Sequence, residues 1–148
     1  MGTIKDVIQT PIRIIENTSG NILHAMKNTE KSYVGFGEVY FSMVNFCAVK
    51  GWKKHSEMTL NLVVPVGKIL FALFDPREDS ETYGHIQEVE LSIENYKRLT
   101  VPPNIWVAFK GLSMEANMLL NISNIPHDPL ESSTLPLENN NLIPYSFY

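Results

Sequence analysis

The sequence has few cysteines, few basic residues and no long apolar run. Cys47 is the single cysteine of the 148 residues, so it has no partner for an internal disulfide, and no cysteine cluster indicates zinc. Twelve Lys and Arg residues against 16 Asp and Glu residues give a net charge of −4. This balance argues against nucleic-acid binding, which normally requires a basic surface. The longest apolar run, residues 69–74, is too short to span a membrane.

Several common motifs are also absent from the chain. It contains no Gly-x-Ser-x-Gly element, no P-loop and no glycine-rich dinucleotide motif. Residues 1–15 have neither an apolar signal core nor a twin-arginine motif. We therefore expect a cytoplasmic protein that does not associate with membranes.

The pattern that is present is a series of short strands. Hydrophobic residues make up 44% of the chain and charged residues 19%, as in globular proteins. Runs rich in β-branched and aromatic residues, separated by turn signals, predict an all-β sandwich or barrel. These runs cover residues 12–15, 39–49, 59–66, 68–74, 86–91, 99–101, 106–109 and 117–122.

Two segments indicate how the strands are arranged. Residues 68–74 are apolar at both odd and even positions, so both faces of this strand should be covered, as in a barrel wall packed against a second sheet. We expect one domain over residues 1–148, with a barrel core at about 39–125 and a C-terminal tail at 126–148. The tail is rich in proline and cannot be regular sheet throughout. Its apolar and aromatic end should pack against the barrel.

Residues 75–103 carry the most specific pattern of the chain. A charged turn closes on a Tyr-Gly pair at 83–84, an alternating strand follows, and a second short strand ends at a Pro-Pro pair at 102–103. This order resembles the dTDP-4-dehydrorhamnose 3,5-epimerase family, sugar-nucleotide enzymes built on a double-stranded β-helix, also called a cupin or jelly-roll barrel. The similarity extends over roughly residues 39–130.

The resemblance implies a function and a set of partners. The fold would be the family's barrel, and the ligand a nucleoside-diphosphate 4-keto-6-deoxyhexose from a polysaccharide or O-antigen pathway. No cofactor is implied. Because N-terminal strands exchange between subunits in this family, the resemblance also implies a homodimer formed through these strands.

The candidate catalytic residues are Lys53 and His55. The family's Arg-Gly-Leu-His motif, whose histidine is the base, corresponds to residues 50–53, so Lys53 stands at the histidine position. Lys53 and His55 are two apart on a predicted strand and share a face with Gly51. A cation and an imidazole suit a pyrophosphate or a sugar ketone. The alternative is that both side chains lie on the outside of a polar edge.

Four other residues are candidates for substrate binding. Lys50 takes the place of the motif's arginine and would face the pyrophosphate. Asn61 and Asn121 would hydrogen-bond to sugar hydroxyls. Trp106 would stack on the sugar or base, unless it packs in the core. The family's catalytic tyrosine, on the penultimate strand, is replaced by Leu120 or a neighbour.

A metal-binding cupin is disfavoured by its missing ligands. Such a site would need two histidines one residue apart, a carboxylate and a third histidine. Only His55 of the first pair is present, Asn61 is a poor replacement for the carboxylate, and Val107 stands near the third histidine position. We therefore expect no metal.

Two functions remain open from the sequence. The first is an epimerase of a nucleoside-diphosphate 4-keto-6-deoxyhexose in which Lys53 or His55 transfers protons by a route other than the usual histidine–tyrosine mechanism. The second is a non-catalytic protein that binds a sugar nucleotide, or assists a partner enzyme, on the same scaffold. The nucleotide and the sugar are not determined by the sequence.

Overall fold

The computed structural model describes residues 2–148 and confirms the all-β prediction. Within these residues the regular structure is twelve strands and one 3₁₀ helix, and no helix is long and apolar enough to cross a membrane. The elements are β1 (Ile8–Pro11), β2 (Ile14–Ile15), β3 (Ile22–Leu23), β4 (Glu38–Met43), β5 (Val49–His55), β6 (Leu60–Val66), β7 (Lys68–Phe74), β8 (Ile86–Ser92), β9 (Lys97–Val101), β10 (Trp106–Gly111), β11 (Met118–Ser123), the 3₁₀ helix (Pro129–Glu131) and β12 (Ser132–Thr134).

Two facing five-stranded sheets form the barrel. Sheet A has the order β1-β9-β6-β11-β4, and sheet B has the order β12-β5-β10-β7-β8. Neighbouring strands in both sheets are antiparallel. Strands β2 and β3 form a separate two-stranded sheet. This is the jelly-roll arrangement that the sequence predicts.

The long strand predicted over residues 39–49 is instead two strands in different sheets. Between β4 and β5 the chain turns, with Ala48 N donating to Asn45 O at 3.0 Å. Cys47 has a φ of 62°, a left-handed conformation that ends extended structure. The turn therefore carries the chain from sheet A to sheet B.

Strand β7 is covered on both faces, as predicted, but by two different partners. Ile69, Phe71 and Leu73 belong to the main core between the sheets. Ala72 and Phe74 face the other way, into a second apolar cluster on the outside of sheet B. The cover on this outer side is the C-terminal tail rather than another sheet.

The end of the tail packs on the outside of sheet B around Trp52. Trp52 is 1% exposed and lies in one cluster with Trp106 and Ile143. The rings of Tyr145 and Phe147 lie with their centroids 6.1 Å and 6.3 Å from that of Trp52. The tail is therefore part of the folded body, as its aromatic sequence predicts.

A buried carboxylate organises the turn between β7 and β8. Asp75 is 0% exposed and accepts hydrogen bonds from Arg77 Nε at 2.8 Å, Ser80 Oγ at 2.9 Å and Thr82 Oγ1 at 2.6 Å. Burial acts to raise the pKa of Asp75, but these hydrogen bonds outweigh it and hold the pKa well below the usual range. The charged turn seen in the sequence is thus a closed ionic network.

We expect Asp75→Asn to lower the free energy of unfolding at pH 7 by about 3 kcal/mol, because it removes the buried carboxylate that binds Arg77 and leaves this residue only the more exposed Asp6 carboxylate. Since the Asp75 pKa is lower when folded than its ordinary value of 3.8, the stabilisation is complete above that pH and is lost as the pH falls below it. The free energies of unfolding in urea of the parent and of Asp75→Asn should therefore differ most at neutral pH.

The matched control is Asp79→Asn, which removes an exposed carboxylate from the same turn. It should leave the unfolding free energy within about 0.5 kcal/mol of the parent. Equal destabilisation by the two substitutions would contradict the role assigned to Asp75.

Candidate active site

A cavity of about 170 Å³ lies between sheets A and B at the end of the barrel that includes β4 and β5. Its two walls differ in character. Sheet B supplies the basic residues and sheet A supplies neutral polar and apolar ones. The lining from sheet B is Lys50, Gly51, Lys53, His55, Val107 and Phe109, and that from sheet A is Tyr40, Ser42, Leu60, Leu62, Leu119 and Asn121.

A β-bulge brings the basic residues of β5 to the same side. In the pairing of β5 with β10, Lys53 lies opposite Val107 and Lys50 lies opposite Phe109, so three residue steps on β5 match two on β10. Without the extra residue, strand alternation would place Lys50 and Lys53 on opposite faces. The predicted common face for Lys53 and His55 therefore also includes Lys50.

Gly51 permits this bulge because it has no side chain, and none would fit at its position. Its φ is 116°, and a Cβ atom there would lie 2.6 Å from the carbonyl oxygen of Val107 and 2.7 Å from Cα of Ala108. The next residue, Trp52, points away from the cavity into the cluster beneath the tail. The glycine thus allows β5 to send lysines to one side and a large aromatic ring to the other.

His55 is held in the cavity wall by a buried carboxylate from the tail. Its Nδ1 atom lies 2.6 Å from Glu131 Oε1. The second oxygen, Oε2, accepts from the backbone N–H groups of Glu57 at 3.0 Å and Met58 at 2.9 Å. His55 and Glu131 are 9% and 6% exposed, so the pair is shielded from water.

The surroundings of Glu131 keep it ionised. Burial acts to raise the pKa of this carboxyl, but the hydrogen bonds from His55 and from two backbone N–H groups lower it by more. An ionised carboxylate only accepts hydrogen bonds, so Nδ1 of His55 carries a proton and donates it. In the neutral ring Nε2 then has a free lone pair and is the nitrogen available for proton transfer in the cavity.

Sequence reasoning missed Glu131 because the tail lacks a periodic pattern. The residue ends the short 3₁₀ helix Pro129–Glu131, which is capped by Asp128, whose side chain accepts from Leu130 N at 3.0 Å. A capping aspartate before Pro129 is the one local signal of this turn. Nothing in it indicates a contact with His55, 76 residues earlier.

The two lysines in the cavity wall have no carboxylate partner. No ion pair within residues 2–148 involves Lys50 or Lys53. Lys50 Nζ donates instead to Ser42 Oγ at 3.1 Å and to the carbonyl oxygen of Met43 at 2.7 Å. These uncompensated positive charges make the sheet B wall suited to an anionic ligand.

The opposite wall carries a short hydrogen-bonded chain. Asn121 Nδ2 donates to the Tyr40 hydroxyl at 2.9 Å, and Ser123 Oγ donates to Asn121 Oδ1 at 3.2 Å. Burial and the nearby Glu38 carboxylate raise the pKa of Tyr40, and the Asn121 contact only partly offsets them. Asn121 was predicted from the sequence as a cavity residue, whereas Tyr40 was not.

Two of the predicted substrate-binding residues do not line the cavity. The side chain of Asn61 lies outside sheet A, where it donates to Ser32 O at 3.1 Å and accepts from Thr100 Oγ1 at 2.6 Å. Trp106 lies outside sheet B, in the cluster covered by the tail. In both cases a neighbouring residue lines the cavity instead. These neighbours are Leu60 and Leu62 beside Asn61, and Val107 beside Trp106.

The sequence led us to expect Leu120 or a neighbour at the position of the family's tyrosine, on β11. Leu119 and Asn121 line the cavity, and the side chain of Leu120, between them, points to the other face of the sheet.

Within residues 2–148, no group of three or more His, Cys, Asp or Glu side chains is arranged to hold a metal ion.

Comparison with known proteins identifies the family. A family model described as dTDP-4-dehydrorhamnose 3,5-epimerase matches residues 3–143, almost the whole chain. The chain belongs to this epimerase family. A crystal structure of a dTDP sugar isomerase from Desulfovibrio desulfuricans G20 superposes with a TM-score of 0.93 at 35% identity, covering 97% of this chain and 91% of that one.

Other relatives of the epimerase family are more distant. A probable low-salt glycan biosynthesis epimerase, Agl13 of Haloferax volcanii, is 27% identical over 123 residues, which are 82% of this chain and 79% of the relative. The Legionella pneumophila dTDP-6-deoxy-D-glucose-3,5-epimerase, solved with dTDP-4-keto-L-rhamnose, has a TM-score of 0.84 at 17% identity and covers 96% of this chain and 79% of that one. The latter similarity shows the shared fold.

One histidine of residues 2–148 lines the cavity. It is His55, which lies two residues after Lys53 on the same face of β5. Its carboxylate partner comes from the tail.

We expect Glu131→Gln to change the tautomer of His55. One amide oxygen cannot accept from Nδ1 and from both backbone N–H groups, so the preference for a proton on Nδ1 should weaken and the unfolding free energy should fall by about 1–3 kcal/mol. Nitrogen-15 NMR of the imidazole distinguishes the two tautomers. Glu138→Gln, at an exposed tail position, is the control and should leave the spectrum unchanged.

An unaltered His55 spectrum in Glu131→Gln would contradict the assigned role of the carboxylate.

Proposed function

We propose that this protein is an epimerase of a nucleoside-diphosphate 4-keto-6-deoxyhexose in polysaccharide or O-antigen biosynthesis, with His55 as the base. The observation that carries this proposal is the buried His55–Glu131 pair in the wall of a cavity that also contains Lys53. The relatives support the substrate class, since one was solved with dTDP-4-keto-L-rhamnose and another is a glycan biosynthesis epimerase.

The first chemical step is removal of a proton from a carbon beside the sugar ketone. His55 Nε2 accepts this proton, and the electron pair of the broken C–H bond moves to form an enolate whose charge rests on the ketone oxygen. Glu131 stabilises the imidazolium that forms. The Lys53 ammonium group, on the same face of β5, stabilises the enolate oxygen.

The second requirement is recognition of the pyrophosphate. Lys50 is positioned for this role because its ammonium group lies at β4, on the other side of the bulge from His55, and has no carboxylate partner. A cation fixed by Ser42 Oγ and a backbone carbonyl keeps a defined position for a phosphate oxygen.

The second candidate function is binding of the same sugar nucleotide without turnover. The observation that favours it is the apolar side of the sheet A wall, where Leu60, Leu62 and Leu119 stand. None of these side chains transfers a proton. A binding protein would use the lysines alone.

We further propose that the protein forms the homodimer that the resemblance implies, with β4 as the N-terminal strand involved and the outside of β4 and β11 as the interface. Val39, Phe41 and Met43 alternate with the cavity residues of β4 and are 49%, 64% and 50% exposed. They lie directly opposite the apolar residues Ile122, Leu120 and Met118 of β11. An exposed apolar band at the free edge of a sheet fits a second copy of the chain.

The experiment that tests the catalytic proposal is solvent deuterium incorporation into dTDP-4-keto-6-deoxyglucose and its CDP equivalent, followed by NMR. The parent protein should catalyse exchange at a carbon beside the ketone. His55→Gln should slow it at least about 100-fold, because the base is lost. Lys53→Met should slow it by about 10²–10³ through loss of enolate stabilisation.

Two controls match these variants. His127→Gln removes an exposed imidazole outside the cavity. Lys54→Met removes a cation from β5 that faces the other side, 5.1 Å from the Trp106 ring centroid. Both should exchange at the parent rate. Ligand-induced NMR shifts without exchange would favour the binding protein, and neither shifts nor exchange would overturn the sugar-nucleotide assignment for these two substrates.

For the homodimer, we expect sedimentation equilibrium of the parent to give about twice the chain mass of 16.8 kDa. Phe41→Glu should give the single-chain mass, because it places a charge in the apolar band. Tyr83→Glu, at an exposed aromatic residue in the β7–β8 turn, should remain dimeric. A parent protein of single-chain mass would refute this interface.

A further inference from the structure

The proposed epimerisation requires a proton donor that the base cannot supply. Inversion at a carbon atom needs removal of the proton from one face and delivery of a proton to the other. His55 belongs to sheet B, so the donor should come from the facing wall, sheet A. This inference rests on the proposed function and concerns which residue of that wall donates.

Tyr40 is the one residue of the sheet A wall with a suitably acidic proton. The wall also contains three leucines, which have no exchangeable proton, and the side chains of Ser42 and Asn121. An aliphatic hydroxyl and an amide are far weaker acids than a phenol, whose ordinary pKa is about 10. Ser42 Oγ is in addition engaged by Lys50 Nζ at 3.1 Å.

The hydrogen bonds of Tyr40 leave its proton available. Tyr40 and Asn121 lie directly opposite each other in the β4–β11 pairing. Asn121 Nδ2 donates to the phenol oxygen at 2.9 Å, and no side chain or backbone acceptor within residues 2–148 takes the Tyr40 O–H. Ser123 Oγ donates to Asn121 Oδ1 at 3.2 Å and thereby fixes the orientation of the amide.

We propose that Tyr40 delivers the proton to the enolate on the face opposite His55. His55 Nε2 first takes the proton from the carbon beside the ketone. The enolate electron pair then forms a C–H bond with the Tyr40 proton as the phenol O–H bond breaks, and the ketone is restored. The tyrosinate recovers a proton from water and His55 releases one to water, so no oxidant or reductant is required.

The proposed donor comes from β4, whereas the family's tyrosine comes from the neighbouring strand, which is β11 in this chain. In the family the tyrosine stands on the penultimate strand, which in this chain presents Leu119 and Asn121 to the cavity. Tyr40 comes instead from the edge strand β4 and is bound by Asn121. The Tyr40 phenol is protonated at neutral pH because its ordinary pKa is about 10, and Tyr40, which is 45% exposed, can regain a proton from water. Asn121 is then a positioning residue.

The test separates removal of the substrate proton from inversion. In deuterium oxide, NMR of dTDP-4-keto-6-deoxyglucose reports exchange with retained configuration and formation of the inverted sugar as two signals. Tyr40→Phe should keep exchange, because His55 can return a solvent deuteron to the same face, and should lower inversion at least about 100-fold. His55→Gln should lose both signals.

Two further variants complete the test. Tyr145→Phe removes a phenol that bonds Glu88 outside the cavity, and it should exchange and invert like the parent. Asn121→Leu keeps the phenol but removes its positioning amide, so inversion should fall about 10-fold while exchange is kept. This second variant tests the proposal independently if Tyr40→Phe does not fold, which thermal unfolding would reveal.

The possible failures are distinguishable. Inversion by Tyr40→Phe at the parent rate would overturn the donor assignment and leave the proposed function intact. Loss of both exchange and inversion in a folded Tyr40→Phe that still binds substrate would also overturn it, because the phenol would then act in enolate formation. A parent protein that gives neither signal would overturn the proposed function, and the donor assignment with it.

Discussion

The arrangement of the site depends on the hydrogen bonds of the Glu131 carboxylate. A buried carboxylate is costly unless its oxygens are satisfied, and here Oε1 binds His55 while Oε2 binds the N–H groups of Glu57 and Met58. These contacts join the tail to the end of β5 and the start of β6. Strand β12 then continues the connection, pairing Ser132 with His55. The orientation of the imidazole is therefore a property of the folded tail.

The bulge in β5 supplies the second constraint. The strand must send Lys50, Lys53 and His55 into the cavity while Trp52 enters the outer cluster. A regular strand satisfies only alternate positions, and the extra residue near Gly51 resolves the conflict. Tail and bulge thus act on the same strand. The bulge sets which side chains of β5 face the cavity, and the tail covers the ring of Trp52 and binds His55.

The sequence predicted the barrel better than it predicted the site. Strands such as β7 have a clear pattern, and the turn after Asp75 is marked by its charges, so fold class and most strands could be inferred. Side-chain direction is less secure, because a shift of one residue moves a side chain to the other face. Asn61 and Trp106 were expected in the cavity and lie outside it for this reason. Glu131 could not be found, since its contact is non-local and the proline-rich tail has no period.

The two walls of the cavity divide the chemistry between them by charge. The positive groups all come from β5 in sheet B, whereas Tyr40, Ser42 and Asn121 on sheet A are neutral. Apolar neighbours around the cavity reduce the local dielectric, which strengthens the attraction between Lys53 and any negative charge that develops beside it. In the proposed reaction the enolate oxygen would therefore be stabilised at the sheet B wall, and the carbon would lie between His55 and sheet A. Because a charge on sheet A would compete for the enolate oxygen, a neutral hydrogen-bonding wall is the arrangement that keeps the two roles apart.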